Sequence, residues 1–172
     1  MATAVSRRSD TGSSLPETMV ATALLMVVIG GLGSMGVMGM MTTENQGHLA
    51  ARTTEYAQDK MEQLLVLAYG DQTTDTRVFP SVGTGGTGLA VGGSTNTDAP
   101  IAGYADYLNK SGTLVAGANG APPADWYYKR VWAVTIPATN LKQIAVTVTV
   151  KSALGGARPA ASTVTALKAF PF

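Results

Sequence analysis

Cysteine is absent from the 172-residue sequence. Its absence excludes disulfide bonds, thiolate nucleophiles and sulfur-ligated metal sites. It does not decide the compartment, because an exported protein can fold without disulfide bonds. At this length we expect one domain with a modest hydrophobic core.

Charge is also scarce: charged residues make up 13% of the chain and the net charge is +1, whereas about 25% charged residues is usual for globular proteins. A nearly neutral chain has no overall attraction to nucleic acid, so nucleic acid is not predicted as a partner. His48 is the only histidine, and no Ser-His-Asp or paired-carboxylate motif stands out. The sequence therefore predicts no enzymatic activity, no cofactor and no metal site.

A long stretch without charge lies near the N-terminus. Residues 18–43 contain no charged side chain, and at roughly 1.5 Å per residue such a helix can cross a hydrocarbon core of about 30 Å. Arg7 and Arg8 precede the stretch, and Glu44 is the first charge after it. The positive-inside rule then keeps residues 1–12 in the cytoplasm and sends everything after residue 43 outward.

A secretory signal peptide, a twin-arginine export signal and a plain membrane anchor are alternative interpretations of this stretch. A signal peptide has an apolar core of about 7–15 residues followed closely by a small-x-small cleavage site, and both features fit poorly here. Arg7 and Arg8 are typical of a twin-arginine signal, but Glu17 puts a carboxylate where that signal turns apolar. An acid at the edge of a membrane span is costly and indicates a partner or a function.

Residues 12–17, Gly-Ser-Ser-Leu-Pro-Glu, stand directly before the apolar run. They resemble the prepilin peptidase site of type IV pilins and type II secretion pseudopilins, in which a short basic leader and a glycine precede the cut and a glutamate stands fifth after it. The resemblance implies cleavage between Gly12 and Ser13, with N-methylation of the new terminus. Ser13 stands where the family most often has phenylalanine. Pro16 replaces an aliphatic residue, at no backbone cost in a first helical turn.

Cleavage would create an α-amino group at Ser13 that can meet the Glu17 carboxylate of a neighbouring subunit in an apolar bundle. We expect this pair to act on register more than on net stability, because burying both charges is costly. The resemblance implies further partners: prepilin peptidase, other pilin or pseudopilin subunits, the inner-membrane assembly machinery, and the lipid bilayer before assembly. It implies an inner-membrane precursor and then a surface or periplasmic filament.

The second half of the apolar run is rich in glycine. The relevant positions are Gly30, Gly31, Gly33 and Gly36. Each glycine costs a soluble helix about 1 kcal/mol relative to alanine, but in lipid small residues let helices approach closely. The sequence predicts helix packing here, and the resemblance implies that this stretch loosens or melts during assembly.

Residues 44–68 carry apolar side chains at spacings of three and four, which predicts an amphipathic helix that continues the span. The predicted apolar face consists of Leu49, Thr53, Tyr56, Met61, Leu64, Leu65 and Ala68. The predicted solvated side carries Glu55, Asp59, Lys60 and Glu62. Together with the span this gives one helix over residues 16–68, about 80 Å long. The segment 56–64 resembles the helix of PilV-type minor pilins and related pseudopilins.

Small polar residues and glycine dominate residues 71–125, which predicts loops with short strands. Two alternating runs, 126–136 and 141–151, flank a short polar turn and predict a β-hairpin. Residues 162–169 predict a third strand. The predicted fold class is α+β: a long N-terminal helix, transmembrane in its first half and amphipathic in its second, packed on a small antiparallel sheet with long loops.

The hairpin also resembles the sheet of PilV-type proteins, through an Arg-x-Trp-x-Val run at residues 130–134 and a Lys-x-Ile-x-Val-x-Val run at residues 142–148. These patterns favour a minor subunit. They do not distinguish a subunit of a pilus from a subunit of a secretion pseudopilus. The predicted organisation is a cleaved leader (1–12), the assembly half of the helix (13–43), its amphipathic half (44–70) and a strand-rich head (71–172).

Two kinds of ligand site in the head are weaker predictions. Asp98, Asp106 and Asn109 could hold calcium, but they lack regular ligand spacing, so turn formation is the better account. Basic residues outnumber acidic ones after residue 121: Lys129, Arg130, Lys142, Lys151, Arg158 and Lys168. Such a face could capture DNA, but a solvated strand surface is the better account. The alternative function is a membrane-anchored binding or adhesive module that does not assemble into filaments.

Overall fold

The computed structural model describes residues 14–115, 122–151 and 159–170. These residues form one helix and six strands: α1 (Leu15–Val66), β1 (Gly92–Gly93), β2 (Ala105–Leu108), β3 (Leu114–Val115), β4 (Tyr128–Ala138), β5 (Leu141–Val150) and β6 (Ala161–Ala169). The strands make one open antiparallel sheet in the order β3-β2-β4-β5-β6, with β1 added beside β4. The predicted α+β class, one long N-terminal helix and an antiparallel sheet, is confirmed.

Helix α1 is 52 residues long. It begins where the carbonyl of Ser14 accepts hydrogen bonds from the amides of Glu17 (2.9 Å) and Thr18 (3.2 Å). Pro16 lies in the first turn, where its missing N–H removes no hydrogen bond, and Glu17 lies there too, at the positive end of the helix dipole. The helix ends at Val66, slightly before the predicted Ala68, which is exposed.

The chain divides into two compact units, Met1–Met41 and Thr42–Phe172. In the first unit, the described side chains of α1 are exposed and most of them are apolar. The most apolar 18-residue window of the helix has a mean hydropathy of 2.1 and none of it is buried. Hydroxyl groups there bond to the helix itself, as Thr22 Oγ1 does to the Thr18 carbonyl (2.7 Å) and Ser34 Oγ to the Gly31 carbonyl (2.8 Å). Lipid requires such internal bonds, so by length and composition α1 can cross a membrane.

The second unit contains the hydrophobic core, which lies between the C-terminal part of α1 and one face of the sheet. Ala57, Met61 and Leu64 supply the helix side. Met61 and Leu64 belong to the predicted apolar face, whereas Ala57 does not. The sheet side consists of Leu108, Tyr128, Trp132, Val134, Ile144, Val146, Val148 and Val150. Alternate residues of β4 and β5 reach this core because side chains along a strand point to opposite faces.

The predicted hairpin is β4 and β5, and the predicted third strand is β6. Two residues connect β4 to β5, and Asn140 has a φ of +61°, a conformation that asparagine tolerates better than most residues. The pairing register shifts between Thr135 and Ala138. Pro137 lies in that irregular stretch, where a missing ladder donor does least harm.

Strand β1 depends on glycine. Gly93 has a φ of +80° and pairs with Ala133 of β4. A Cβ atom at Gly93 would lie 2.1 Å from the carbonyl oxygen of Trp132, far inside van der Waals contact. No side chain fits there without moving the backbone of β4.

Replacing Gly93 by alanine is therefore expected to destabilise the head by about 2 kcal/mol, from the positive φ and the clash together. The measurement is chemical unfolding of the full chain in detergent, followed by tryptophan fluorescence. The matched control is Gly70→Ala, since a Cβ at Gly70 meets nothing within 4 Å. Equal unfolding midpoints for the two variants would show that the β1 contact is not as tight as described.

Candidate functional site

The residues predicted for processing lie at or before the start of α1. Gly12 and Ser13 are outside the described residues, so cleavage and methylation stay predictions. Glu17 lies in the first turn of α1 with its side chain exposed. An exposed carboxylate at this end of an apolar helix is open to a partner from another molecule.

The predicted packing glycines, Gly30, Gly31, Gly33 and Gly36, all lie on the exposed part of α1. A Cβ atom added at any of them would meet nothing within 4 Å. No contact within the described chain therefore explains these glycines. Their predicted role in helix packing or melting concerns other molecules and stays a prediction.

A cluster of charged side chains lies between α1 and the sheet, within the second unit. We call Asp59, Lys60, Asp106 and Arg130 the Asp106 cluster. Lys60 Nζ lies 2.8 Å from Asp106 Oδ2, and their side chains are 0% and 2% exposed. Lys60 also donates to the Thr76 carbonyl and lies 4.0 Å from the centroid of the Trp132 ring. The prediction that Lys60 faces solvent is wrong.

Arg130 approaches the same carboxylate from the neighbouring strand. Asp106 of β2 pairs directly with Arg130 of β4 in the sheet register. Arg130 Nε and Nη2 lie 2.6 and 2.9 Å from the two carboxylate oxygens of Asp106, a bidentate arrangement. Arg130 Nη1 lies 2.7 Å from Asp59 Oδ2, whose side chain is half exposed. Two charges from α1 and two from the sheet thus form one connected network.

The charged forms of Asp106 and Lys60 are stabilised to different extents within the Asp106 cluster. Burial disfavours a charged Asp106, but Lys60 and Arg130 outweigh burial through their charges and hydrogen bonds, so the pKa of Asp106 is below its ordinary value. Burial lowers the pKa of Lys60 to about 8, and the opposite charge of Asp106 offsets only part of that effect. The difference arises because Asp106 faces two cations, whereas Lys60 shares one buried carboxylate with Arg130.

The Asp106 cluster also decides the calcium prediction. Both carboxylate oxygens of Asp106 are bound by cations of the chain, and the amide side chain of Asn109 accepts hydrogen bonds from the backbone of Ser111 and Thr113, as a turn residue does. Within residues 14–115, 122–151 and 159–170, no three side chains of the His, Cys, Asp and Glu types come together at a possible metal site. Asn109 is a turn residue, as predicted. Asp106 is neither a calcium ligand nor a turn residue, so both interpretations of it are wrong.

Two lysines of the sheet donate to backbone carbonyls at, or just beyond, the C-terminal end of α1. Lys142, buried in β5, donates to the carbonyls of Tyr69 and Leu89 (both 2.7 Å), and Lys168 of β6 donates to the carbonyl of Leu65 (2.5 Å). Positive charge at carbonyls left unpaired by a helix end is favourable.

The predicted solvated basic strand surface is therefore largely wrong. Arg130, Lys142 and Lys168 are directed to the helix side of the sheet, where they bond to carboxylate or carbonyl oxygens. Lys129 donates to the carbonyl of Thr97 (2.5 Å). Lys151 is exposed as predicted, and Arg158 is outside the described residues.

A cleft of about 720 Å³ lies beside the Asp106 cluster. Its walls include Val78, Phe79, Tyr107 and Val115, and Phe79 is 75% exposed. Its charged side chains neutralise one another: Arg77 is bidentate to Asp75 (2.9 Å to each oxygen), and Arg130 is bound to Asp59 and Asp106. The cleft therefore favours an apolar or neutral ligand over a strongly charged one.

Sequence reasoning missed the Asp106 cluster, although one signal for it was present. Thr53, Ala57, Lys60 and Leu64 follow one another at spacings of four, three and four, which places Lys60 on the apolar face of α1. A lysine in that pattern requires a buried acid. The sequence around Lys60 does not show which acid this is, because Asp106 is 46 residues away along the chain.

No protein family, curated protein or solved structure matches the chain.

Replacing Asp106 by asparagine is expected to lower the free energy of unfolding by about 3 kcal/mol or more, because it leaves Lys60 and Arg130 buried without their shared countercharge. The measurement is equilibrium unfolding of the full chain in detergent at pH 6. The matched control is Glu55→Gln, which removes the exposed ion pair of Glu55 with Arg52. Loss of such a surface pair costs at most about 1 kcal/mol.

The same comparison has a pH signature. Because the pKa of Asp106 is lowered by folding, its contribution is complete above its unfolded pKa of about 4 and is lost as the pH falls through the lower folded pKa. The difference in stability between the native chain and Asp106→Asn is therefore expected to shrink as the pH falls below about 4. A difference that is small at pH 6, or that grows in acid, contradicts the assigned pairing.

Proposed function

We propose that this chain is a structural subunit of a type IV pilus-like filament, and specifically a minor pilin or pseudopilin. It is made as a membrane-inserted precursor, is cut by prepilin peptidase after Gly12, and assembles through the N-terminal part of α1. The observation that carries the proposal is the division of α1: one continuous helix is apolar and unburied in its first part and packed on a sheet in its second.

The exposed first part of α1 needs a surrounding other than water. The unburied side chains there include Leu24, Val27 and Leu32, which are 63%, 72% and 66% exposed, and contiguous apolar surface of this extent marks a membrane or protein contact. A lipid bilayer supplies that surrounding for the precursor. A bundle of identical helices supplies it in a filament.

Glu17 supports assembly over simple anchoring. A permanent anchor gains nothing from a carboxylate at the edge of its span. In a filament, the Glu17 carboxylate of one subunit meets the new α-amino group of Ser13 of another. The pair then forms only when subunits are stacked in one register.

A membrane-anchored binding module is the second candidate function. It is favoured by the cleft of about 720 Å³ with Phe79 exposed at its wall. The same span would then hold the head at the membrane without assembly. The two functions differ in what Glu17 does.

Replacing Glu17 by alanine is expected to leave the precursor in the membrane fraction but to reduce its incorporation into sheared filaments at least about tenfold, the factor that corresponds to 1.4 kcal/mol. The measurement is the ratio of filament-bound to membrane-bound subunit. Glu44→Ala is the matched control, because Glu44 is also an exposed carboxylate on α1. Incorporation of the Glu17 variant at the native level would contradict the proposed pairing. Absence of the native chain from filaments would favour the binding module.

A further inference from the structure

One edge of strand β2 lies in the cleft of about 720 Å³. The cleft is lined by Ala105 and Tyr107 of this strand and by Leu114 and Val115 of β3. Strand β3 covers only the second half of β2, and its last pair is Val115 with Tyr107. Ala105 therefore has β4 on one side and no described strand on the other.

The hydrogen-bonding pattern shows where the backbone groups of Ala105 point. The amide of Trp132 in β4 donates to the carbonyl of Tyr104 (3.0 Å), and the amide of Asn109 donates to the carbonyl of Thr113 on the way to β3 (2.9 Å). Hydrogen bonding alternates along an antiparallel strand, so even-numbered residues of β2 bond to β4 and odd-numbered ones point away from it. The N–H and C=O of Ala105 thus point away from β4, and no residue that the structure describes bonds to either.

These two groups indicate what kind of molecule fits the cleft. Ala105 is only 9% exposed, and a buried backbone N–H or C=O without a partner is costly. An occupant that satisfies both must accept one hydrogen bond and donate another at the same point along the strand. In an antiparallel pair, one peptide residue exchanges both bonds with the residue opposite it. A hydrocarbon chain offers neither bond, so an extended peptide fits better than a lipid tail.

The walls of the cleft indicate which side chains the peptide carries. Val78 and Phe79, on the connection between α1 and β1, line the cleft and are 45% and 75% exposed. Val115 lines it from β3. The charged side chains at the cleft pair with one another within the head, so a charged peptide side chain would find no free countercharge. The peptide that fits is uncharged and apolar.

We propose that the cleft binds an uncharged, extended peptide segment of another protein, which adds antiparallel to β2 with one residue opposite Ala105. In this mode of recognition, main-chain hydrogen bonds supply affinity and side-chain pockets supply selectivity. The bound segment is short, because at the next outward-pointing residue, Gly103, the carbonyl already accepts a hydrogen bond from Thr87 Oγ1 (2.8 Å).

The site lies entirely within the Thr42–Phe172 unit. It gives a ligand class to the binding module that is the second candidate function. It does not require that function, because a filament subunit can also bind a peptide. Nor does it depend on Glu17 or on cleavage after Gly12, so its failure leaves the filament proposal unchanged.

The test uses the full chain in detergent micelles and a capped tripeptide, acetyl-Val-Thr-Val-amide. As the peptide is added, the NMR signal of the Ala105 amide is expected to shift, and its hydrogen exchange is expected to slow, because the amide gains a partner. The control is the same peptide N-methylated at its threonine. It lacks the donor for the Ala105 carbonyl and is expected to bind at least about tenfold more weakly, because that carbonyl stays unpaired. Equal binding of the two peptides, or no binding of the first, overturns the proposal.

A pair of variants tests the place of binding. Val78→Asp adds a charge without a partner to the wall of the cleft and is expected to weaken binding of the tripeptide at least about tenfold, since a buried unpaired charge is costly. Val91→Asp is the matched control, because Val91 is 57% exposed on the same connection and is not among the described residues that line the cleft. Both variants should keep the native tryptophan fluorescence. Equal affinity of the two variants for the tripeptide overturns the proposed site.

Discussion

Asp106 carries one buried negative charge between two cations, and the head is organised around it. Lys60 reaches Asp106 from the helix, and Arg130 reaches it from the adjacent strand, with contacts of 2.6 to 2.9 Å. A buried ion pair adds little net stability compared with an apolar core, but breaking it is costly. We expect its effect to be on specificity, because Lys60 meets Asp106 at only one position and rotation of the helix. The apolar contacts of Ala57, Met61 and Leu64 then follow from that placement.

The two parts of the helix differ in their surfaces. Its C-terminal part is fixed on the sheet by the Asp106 cluster and by Lys142 and Lys168 near the helix end. Its N-terminal part exposes apolar side chains, bonds its hydroxyl groups internally and carries a single acid, Glu17. In the proposed function, this apolar part is first held in a bilayer and then passed into a helical bundle.

The helix, the hairpin and β6 could be predicted because each depends on local periodicity. The ends differ by a few residues: the predicted turn includes Pro137, which lies within an irregular stretch of β4. The Asp106 cluster could not be predicted in full: Lys60 has the spacing of a buried residue, but pairing it with Asp106 and Arg130 requires the sheet register. Strand β1 depends on two glycines with positive φ. A glycine-rich sequence does not show whether such a segment forms a strand or a loop. Gly12 and Ser13 lie outside the described residues, so the processing site rests on the sequence alone.

In the proposed function, the precursor is cut after Gly12 and its new terminus is used for assembly. Its most direct test is mass spectrometry of the N-terminal peptide, taken from the full chain after expression with a prepilin peptidase. We predict a mature chain that begins at Ser13 with a methylated α-amino group. A chain that keeps Met1, or one cut within or after the apolar run, would contradict the claim.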